Sequence, residues 1–472
     1  MLASGGARPM TTVVGIDSST QSTKVLRVDA ETGTVLSTTA APHPDGTAID
    51  PERWWEALVA AGGTSLGGVE AAAVSGQQHG MVALDAEDRP VFDALLWNDT
   101  RSAQQADRLT AEYGRDFWAQ EMGVVPVASF TISKVAWLAE NHPEPAERVR
   151  TVMLPHDWLT WRLGGRSWSP TTDRSDASGT GYYSVPEGRY REDLVEHALG
   201  HAVTLPRVLA PSESPGRTAD GALLGAGAGD NAGAALGLGL RDGEVAVSIG
   251  TSTTVFSSTT TRIVDPTGGI AGFADAAGGQ LPLLAMLNGA RTLVATSTLL
   301  GTDIERLDRL ASEGSPDAGG LTLVPYLDGE RTPNLPDASG TLVGLRRSNM
   351  TPENLARAAV LGLLCGIADA LDSMRAHGVR VEQIVLIGGG AQSSSLQRAA
   401  ADVLGVAVEL PEIAEYVALG AARQAAWALS GAAEAPSWER RILRRFEPSV
   451  ERSWAEEVRV RYRAATRAVY GV

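Results

Sequence analysis

The sequence predicts an α/β protein built of two related domains that face each other across a cleft. Three observations predict it. At 472 residues the chain is longer than one hydrophobic core serves. Buried-strand patterns alternate with helical patterns through both halves. A unit of strand, glycine/hydroxyl turn and strand occurs at 12–28 and again at 245–257, which reads as a duplicated domain. The expected organisation is a disordered N-terminal extension over 1–10, a first domain over 11–242 and a second over 243–472. Met10 is an alternative start, because the first strand follows it at once.

Composition narrows the classes. Forty basic against fifty-six acidic residues give a net charge of −16, which argues against a nucleic-acid or anionic-membrane partner. Nearly all the positive charge is arginine; the lysines are Lys24 and Lys134. The single cysteine, Cys365, rules out a disulfide framework and fits a reducing, cytoplasmic compartment. No run approaches a membrane span, since the most apolar helical pattern, 358–370, is interrupted by Gly362 and Gly366.

In chain order, 12–16 (TVVGI) is a buried strand and 24–28 (KVLRV) its partner. Between them lie Asp17 and a turn of small and hydroxylic residues, Ser18-Ser19-Thr20-Gln21-Ser22-Thr23. Asp17 at the strand end suits a hydrated Mg²⁺, the turn suits phosphates, and Lys24 adds a point charge. The same residues also read as a polar hairpin with Asp17 as its cap. Trp54-Trp55 lie on a helical pattern as core residues. The strand at 71–75 ends in Gly76-Gln77-Gln78-His79-Gly80, which offers donors and acceptors to a polyol or holds a satisfied structural histidine. A second strand, 95–101 (LLWNDTR), brings Asn98, Asp99 and Arg101 to the cleft or to a salt-bridged turn. A helix carrying Lys134 follows, then His156-Asp157-Trp158, then a Ser/Thr/Asp-rich segment, 167–181, that reads as a long surface or cleft loop.

Near the middle of the chain, Asp230 is an isolated carboxylate among glycines and alanines, at the start of a short helix over 231–239. The strand at 245–249 then runs into Gly250-Thr251-Ser252, a turn able to point backbone N–H groups at an anion. A carboxylate one short element from such a turn suits phosphoryl transfer with a base; the plainer alternative is a close-packing Gly/Ala helix before an ordinary hairpin. In the second half, Glu330-Arg331 reads as a structural ion pair. Thr351-Pro352 starts a long apolar helix reaching about 377. The strand at 383–387 leads through Gly388-Gly389-Gly390-Ala391-Gln392 into a helix from about Ser394, which permits close contact with a base, ribose or phosphate. The spacing is not GxGxxG, so a hydride-transfer reading is weak. From 449 the chain reads as an amphipathic, Arg-rich surface helix.

The motifs DSSTQSTK, GQQHG, SFTISKVAWLAEN, GDNAGA, SIGTS, PYLDGERTP, GTLVGL and GGGAQ occur in the order seen in the FGGY carbohydrate kinases, and the chain resembles that family from about Val13 to about Ala426. The resemblance implies two actin-like, ribonuclease-H-like ATPase domains with ATP and sugar meeting in the cleft. It implies Asp230 as the base on the sugar hydroxyl, and Gln78, His79, Asp230 and Asn231 as sugar-binding. It implies Asp17 at the Mg²⁺–phosphate site, with Thr20, Gln21, Lys24, Gly250, Thr251 and Ser252 around the phosphates. Gly389, Gly390, Ala391, Gln392 and Ser394 would surround the adenosine. Glycerol-specific members carry Arg-Glu where this chain has Gln78-His79, so the expected acceptor is a ketopentose, D-xylulose, phosphorylated at O5. Apart from Asp230 these sugar-binding groups are uncharged, which suits a neutral polyol better than gluconate. Alternatives are another sugar or polyol kinase (L-ribulose, glycerol) or an actin-like ATP-driven switch without a sugar; a homodimer is left open as the assembly.

Three departures from the family pattern stand out. Ser18-Ser19 replace a Gly-Thr after Asp17, where a glycine would allow a positive φ. Leu361 stands at a usually acidic position, and His156 at one often occupied by lysine.

Overall fold

The computed structural model describes residues 10–472. The extension assigned to 1–10 and the question of the start therefore lie, but for Met10, outside the described residues. Two sheets carry the molecule, and they share one connectivity. In the first, Val35–Pro42, Ser22–Asp29 and Thr12–Ser18 form an antiparallel meander, followed by Ala71–Gly76 and Leu223–Leu224 in parallel. In the second, Gln280–Met286, Thr253–Ser257 and Glu244–Ile249 form the equivalent antiparallel meander, followed by Gln383–Ile387 and Ala407–Pro411 in parallel. The duplication read from the two hairpins therefore extends over five strands of each sheet, which is the doubled α/β arrangement expected. Both initial strands are buried along nearly their whole length, as their Val/Ile/Ala composition requires.

Two helices form the layers between the sheets. The Asp230–Leu238 helix buries Ala232, Ala235 and Leu236 in a core shared with Ala246, Phe256 and Val385 of the second sheet. The Tyr416–Ser430 helix buries Ala418, Ala421, Ala422 and Ala425 against Val13, Leu26, Ala71 and Ala73 of the first. Each half of the chain thus lends a helix to the other half's sheet, and a division at 242/243 separates the sheets but not these helices. The two helices touch backbone to backbone: a Cβ on Gly237 would lie 2.0 Å from the Tyr416 carbonyl oxygen, and one on Gly420 would lie 1.9 Å from that of Gly233. The close-packing reading of the Gly/Ala helix and its reading as the carrier of Asp230 are therefore compatible.

The core of the second domain surrounds the Pro352–Ala376 helix, whose Thr351 cap accepts a hydrogen bond from the Asn354 N–H. Contrary to the expectation from its glycines, this helix is long and apolar enough to cross a membrane, but it is mostly buried inside the protein. Leu361 packs in that core, as does Cys365.

Three local expectations fail. Of the 95–101 region only Leu95 is strand, at the end of Ala94–Leu95, because Trp97 onward turns to let Asp99 bind Arg101 at 2.8 Å and Thr47 at 2.8 Å. The 167–181 segment is not a surface loop: it folds into Thr171–Asp173, a strand, and Arg174–Ala177, a short helix, both largely buried. Trp54 is core, whereas Trp55 is only partly buried and lies under the Arg162 guanidinium.

Candidate active site

Two cavities meet at the start of the Asp230–Leu238 helix. One, of about 510 Å³, is bordered by Ser19, Lys24, Gly388, Gly389, Gln392 and the 410–417 segment. The other, of about 220 Å³, is bordered by Thr20, Gln78, His79, Trp97, Ser252, Phe273 and Arg331. Asp230 and Asn231 border both. They come from the first turn of an interdomain helix rather than from a loop, and a helix start favours nearby negative charge.

Asp230 Oδ1 accepts from its neighbour Asn231, through the backbone N–H at 2.7 Å and the side-chain amide at 2.8 Å. Burial, then the charge of Asp17, push its carboxyl up to about 7. Asp17 is itself buried at the end of the first strand; burial raises it to about 6, against the opposing effects of a Ser19 hydrogen bond and the Lys24 charge. Ser19 donates to Asp17 Oδ1. No residue of the Ser18-Ser19 turn has a positive φ, so the serines form it without the conformation a glycine would supply. Lys24 binds Glu415 at 2.6 Å, which ties the first hairpin to the far cavity wall.

Gln78 and His79 are held by the 171–181 segment. The Gln78 amide donates to the Ser175 carbonyl at 3.2 Å, and the Ser175 hydroxyl accepts from the Gly229 N–H at 3.1 Å. Gly229 allows this approach, since a Cβ there would lie 2.6 Å from Gln78 Cγ. His79 sits at φ 69°, and burial lowers its imidazole to about 3, so it is neutral. Its Nδ1 lies 2.6 Å from the Gly179 carbonyl, which can only accept; Nδ1 therefore carries the proton and Nε2 is an acceptor. Lys134, fully buried, donates to the His79 carbonyl at 2.7 Å and to that of Ser129 at 2.6 Å, and burial holds its amine well below the ordinary range.

Behind this wall, His156 Nε2 lies 3.2 Å from Asp157, 3.3 Å from Asp176 and 3.5 Å from Asp173. Burial alone would lower its pKa, but the neighbouring carboxylates raise it, while burial raises Asp157 and Asp176 in turn, so the cluster shares its protons behind the segment that orients Gln78 and His79.

The remaining sequence-assigned residues lie at varied distances from the cavities. Gly250 and Thr251 are exposed in a turn whose Gly250 carbonyl accepts from the Ala290 N–H at 2.8 Å, while Ser252 borders the smaller cavity. Gln21 is exposed and borders neither cavity. Gly390 and Ala391 are buried beneath the Gly388–Gly389 edge. The Ser394 hydroxyl donates to Asp308 at 2.7 Å. Sequence reasoning misses the 410–417 wall, Trp97 and Arg331. The first carries no sequence signal, since 410–417 (LPEIAEYV) reads as an ordinary mixed segment. The expected Glu330–Arg331 ion pair does not form: the Glu330 carboxylate accepts from the backbone N–H groups of Leu287 and Arg331 and from the Asn288 amide, and Arg331 borders the smaller cavity. That cavity therefore carries a second charged group besides Asp230.

The doubled fold, the paired cavities and the acid between them suit a carbohydrate kinase, the class that comparison with known families establishes. Models of the FGGY family of carbohydrate kinases match the N-terminal domain over residues 12–247 and the C-terminal domain over 245–429, and the chain belongs to that family. It is similar to the xylulose kinase of Streptomyces rubiginosus, 46% identical over 447 residues and 90% of each chain. Among solved structures it is similar to the xylulose kinase from Bifidobacterium adolescentis, with a TM-score of 0.89, 42% identity and coverage of 97% of this chain and 99% of that one. The Plasmodium falciparum glycerol kinase with ADP, at 17% identity and a TM-score of 0.86 over 98% of each chain, shares the fold.

Proposed function

We propose that the protein transfers the γ-phosphoryl group of ATP to O5 of D-xylulose, with Asp230 as the general base. The observation that carries this reading is that Asp230 and Asn231 border both cavities. ATP occupies the larger cavity and the ketose the smaller, so the acceptor hydroxyl lies at their junction. The bond between the γ-phosphorus and the bridging oxygen breaks as the bond to O5 forms, and the O5 proton passes to Asp230. A carboxyl held near 7 suits that transfer at neutral pH. Phosphoryl transfer depends on positioning and charge neutralisation more than on covalent chemistry.

The site's oxygen chemistry fits Mg²⁺: Asp17 is a buried carboxylate raised by burial, beside a second carboxylate. Asp17 would hold the ion, which when bound neutralises phosphate charge. Thr20 and Ser252, on opposed turns, donate to the phosphate side of the acceptor, and Gly389 and Gln392 border the nucleotide. Neutral His79 accepts a sugar hydroxyl at Nε2, and Gln78 presents its amide oxygen. The names of the relatives, xylulose kinases at 46% and 42% identity, support the ketopentose.

A coupled assay of ADP release across D-xylulose, L-ribulose and glycerol tests the reading. D-Xylulose is expected to be the best acceptor and glycerol a poor one, because a short substrate leaves buried donors and acceptors unpaired. Efficient glycerol phosphorylation would overturn the xylulose assignment, and sugar-independent ATP turnover would overturn the kinase assignment.

A further inference from the structure

The smaller cavity has two ends. At one, Asp230 and Asn231 are shared with the nucleotide cavity. At the other, Gly268, Gly269 and Arg331 are shared with a third cavity of about 650 Å³ that runs between the domains. The Arg331 side chain makes no ion pair and no hydrogen bond among the described residues, although it is only partly exposed. Its neighbouring acid, Glu330, is saturated by two backbone N–H groups and an amide. A guanidinium partly withdrawn from water and without a carboxylate keeps donors to spare, and its planar fork matches a carboxylate in a bidentate pair.

We infer that Arg331 forms a carboxylate subsite at the end of the sugar cavity remote from Asp230, so that the site binds five-carbon sugar acids. The inference rests on the assignment of the smaller cavity to the sugar. Asp230 repels a carboxylate, which fixes the orientation: the acid end lies at Arg331 and the terminal hydroxyl at Asp230. In the ketose, the same guanidinium donates to the oxygens of the C1–C2 end. Neutral His79 adds no competing charge at this end, while Asp230 lies at the other.

The test compares D-xylonate with xylitol, which differ at one end by a carboxylate against a hydroxymethyl group. Calorimetric titration of the full chain reads binding without turnover. D-Xylonate is expected to bind at least about ten-fold more tightly than xylitol, as a charge-assisted pair provides. It should compete with D-xylulose and not with ATP. Arg331→Met should erase the preference, and Arg331→Lys should retain part of it; thermal melting checks that both variants fold. Equal binding of the two ligands by the wild type, or a preference that survives Arg331→Met, would overturn the inference. Failure of the wild type to phosphorylate D-xylulose would instead overturn the proposed reaction, because the binding comparison does not depend on it.

Discussion

Replacing Asp230 by Asn should abolish most activity and stabilise the fold in a pH-dependent way. Asn keeps the shape and can still accept from Asn231, so the change removes chiefly a charge. Burial and Asp17 raise the Asp230 carboxyl from 3.8 to about 7, a displacement equivalent to about 4 kcal/mol. That figure is an upper one, because Asp230 is partly open to the cleft. The sign follows from proton linkage. The folded protein holds this proton more tightly than the unfolded chain, so the ionised carboxylate penalises the fold fully above pH about 7 and not at all well below pH about 4. The variant should therefore melt up to about 4 °C higher at pH 8, with about two-fifths of that gain at pH 5. Thermal melts of both proteins at the two pH values provide the check. An equal shift at pH 5 and pH 8, or destabilisation at pH 8, would refute the reasoning.

Three further predictions concern neighbouring groups. His79→Ala should raise KM for the ketose by about ten-fold through loss of a buried acceptor, leaving KM for ATP nearly unchanged; steady-state kinetics with each substrate varied checks this. Asp17→Asn should raise the Mg²⁺ concentration needed for half-maximal turnover and, by removing a charge beside Asp230, move the acid limb of the pH–rate profile below about 7; a magnesium titration and a pH profile read both. Gly237→Ala should destabilise the fold by about 1–3 kcal/mol or more, because its Cβ would meet the Tyr416 carbonyl oxygen at 2.0 Å; an unchanged melting temperature would count against the interhelical contact.

The doubled hairpins are legible in the sequence because strand composition and glycine/hydroxyl turns are local signals. The same holds for the Pro352–Ala376 helix, whose Thr cap and Pro are adjacent in the chain. Asp230 is legible as an unaccompanied acid among small residues. What escapes is set by long-range packing. The 167–181 segment reads as a polar loop because its aspartates and serines face partners outside the segment, among them His156, Gln78 and Gly229. Arg331 follows Glu330 and so reads as its partner, but the Leu287 and Asn288 donors that occupy Glu330 lie more than forty positions earlier. The 410–417 wall carries no motif, and only the fold brings it opposite Lys24.

In the proposed reaction Asp230 takes the proton from the sugar hydroxyl at the junction of the two cavities. The most direct measurement is kcat for D-xylulose phosphorylation in wild type and Asp230→Ala, with ATP affinity measured in parallel. kcat should fall by about 10²–10⁴, the usual worth of a positioned base, with ATP binding nearly unchanged. Turnover of the variant close to that of the wild type would contradict it and move the base elsewhere, with Asp17 next in line.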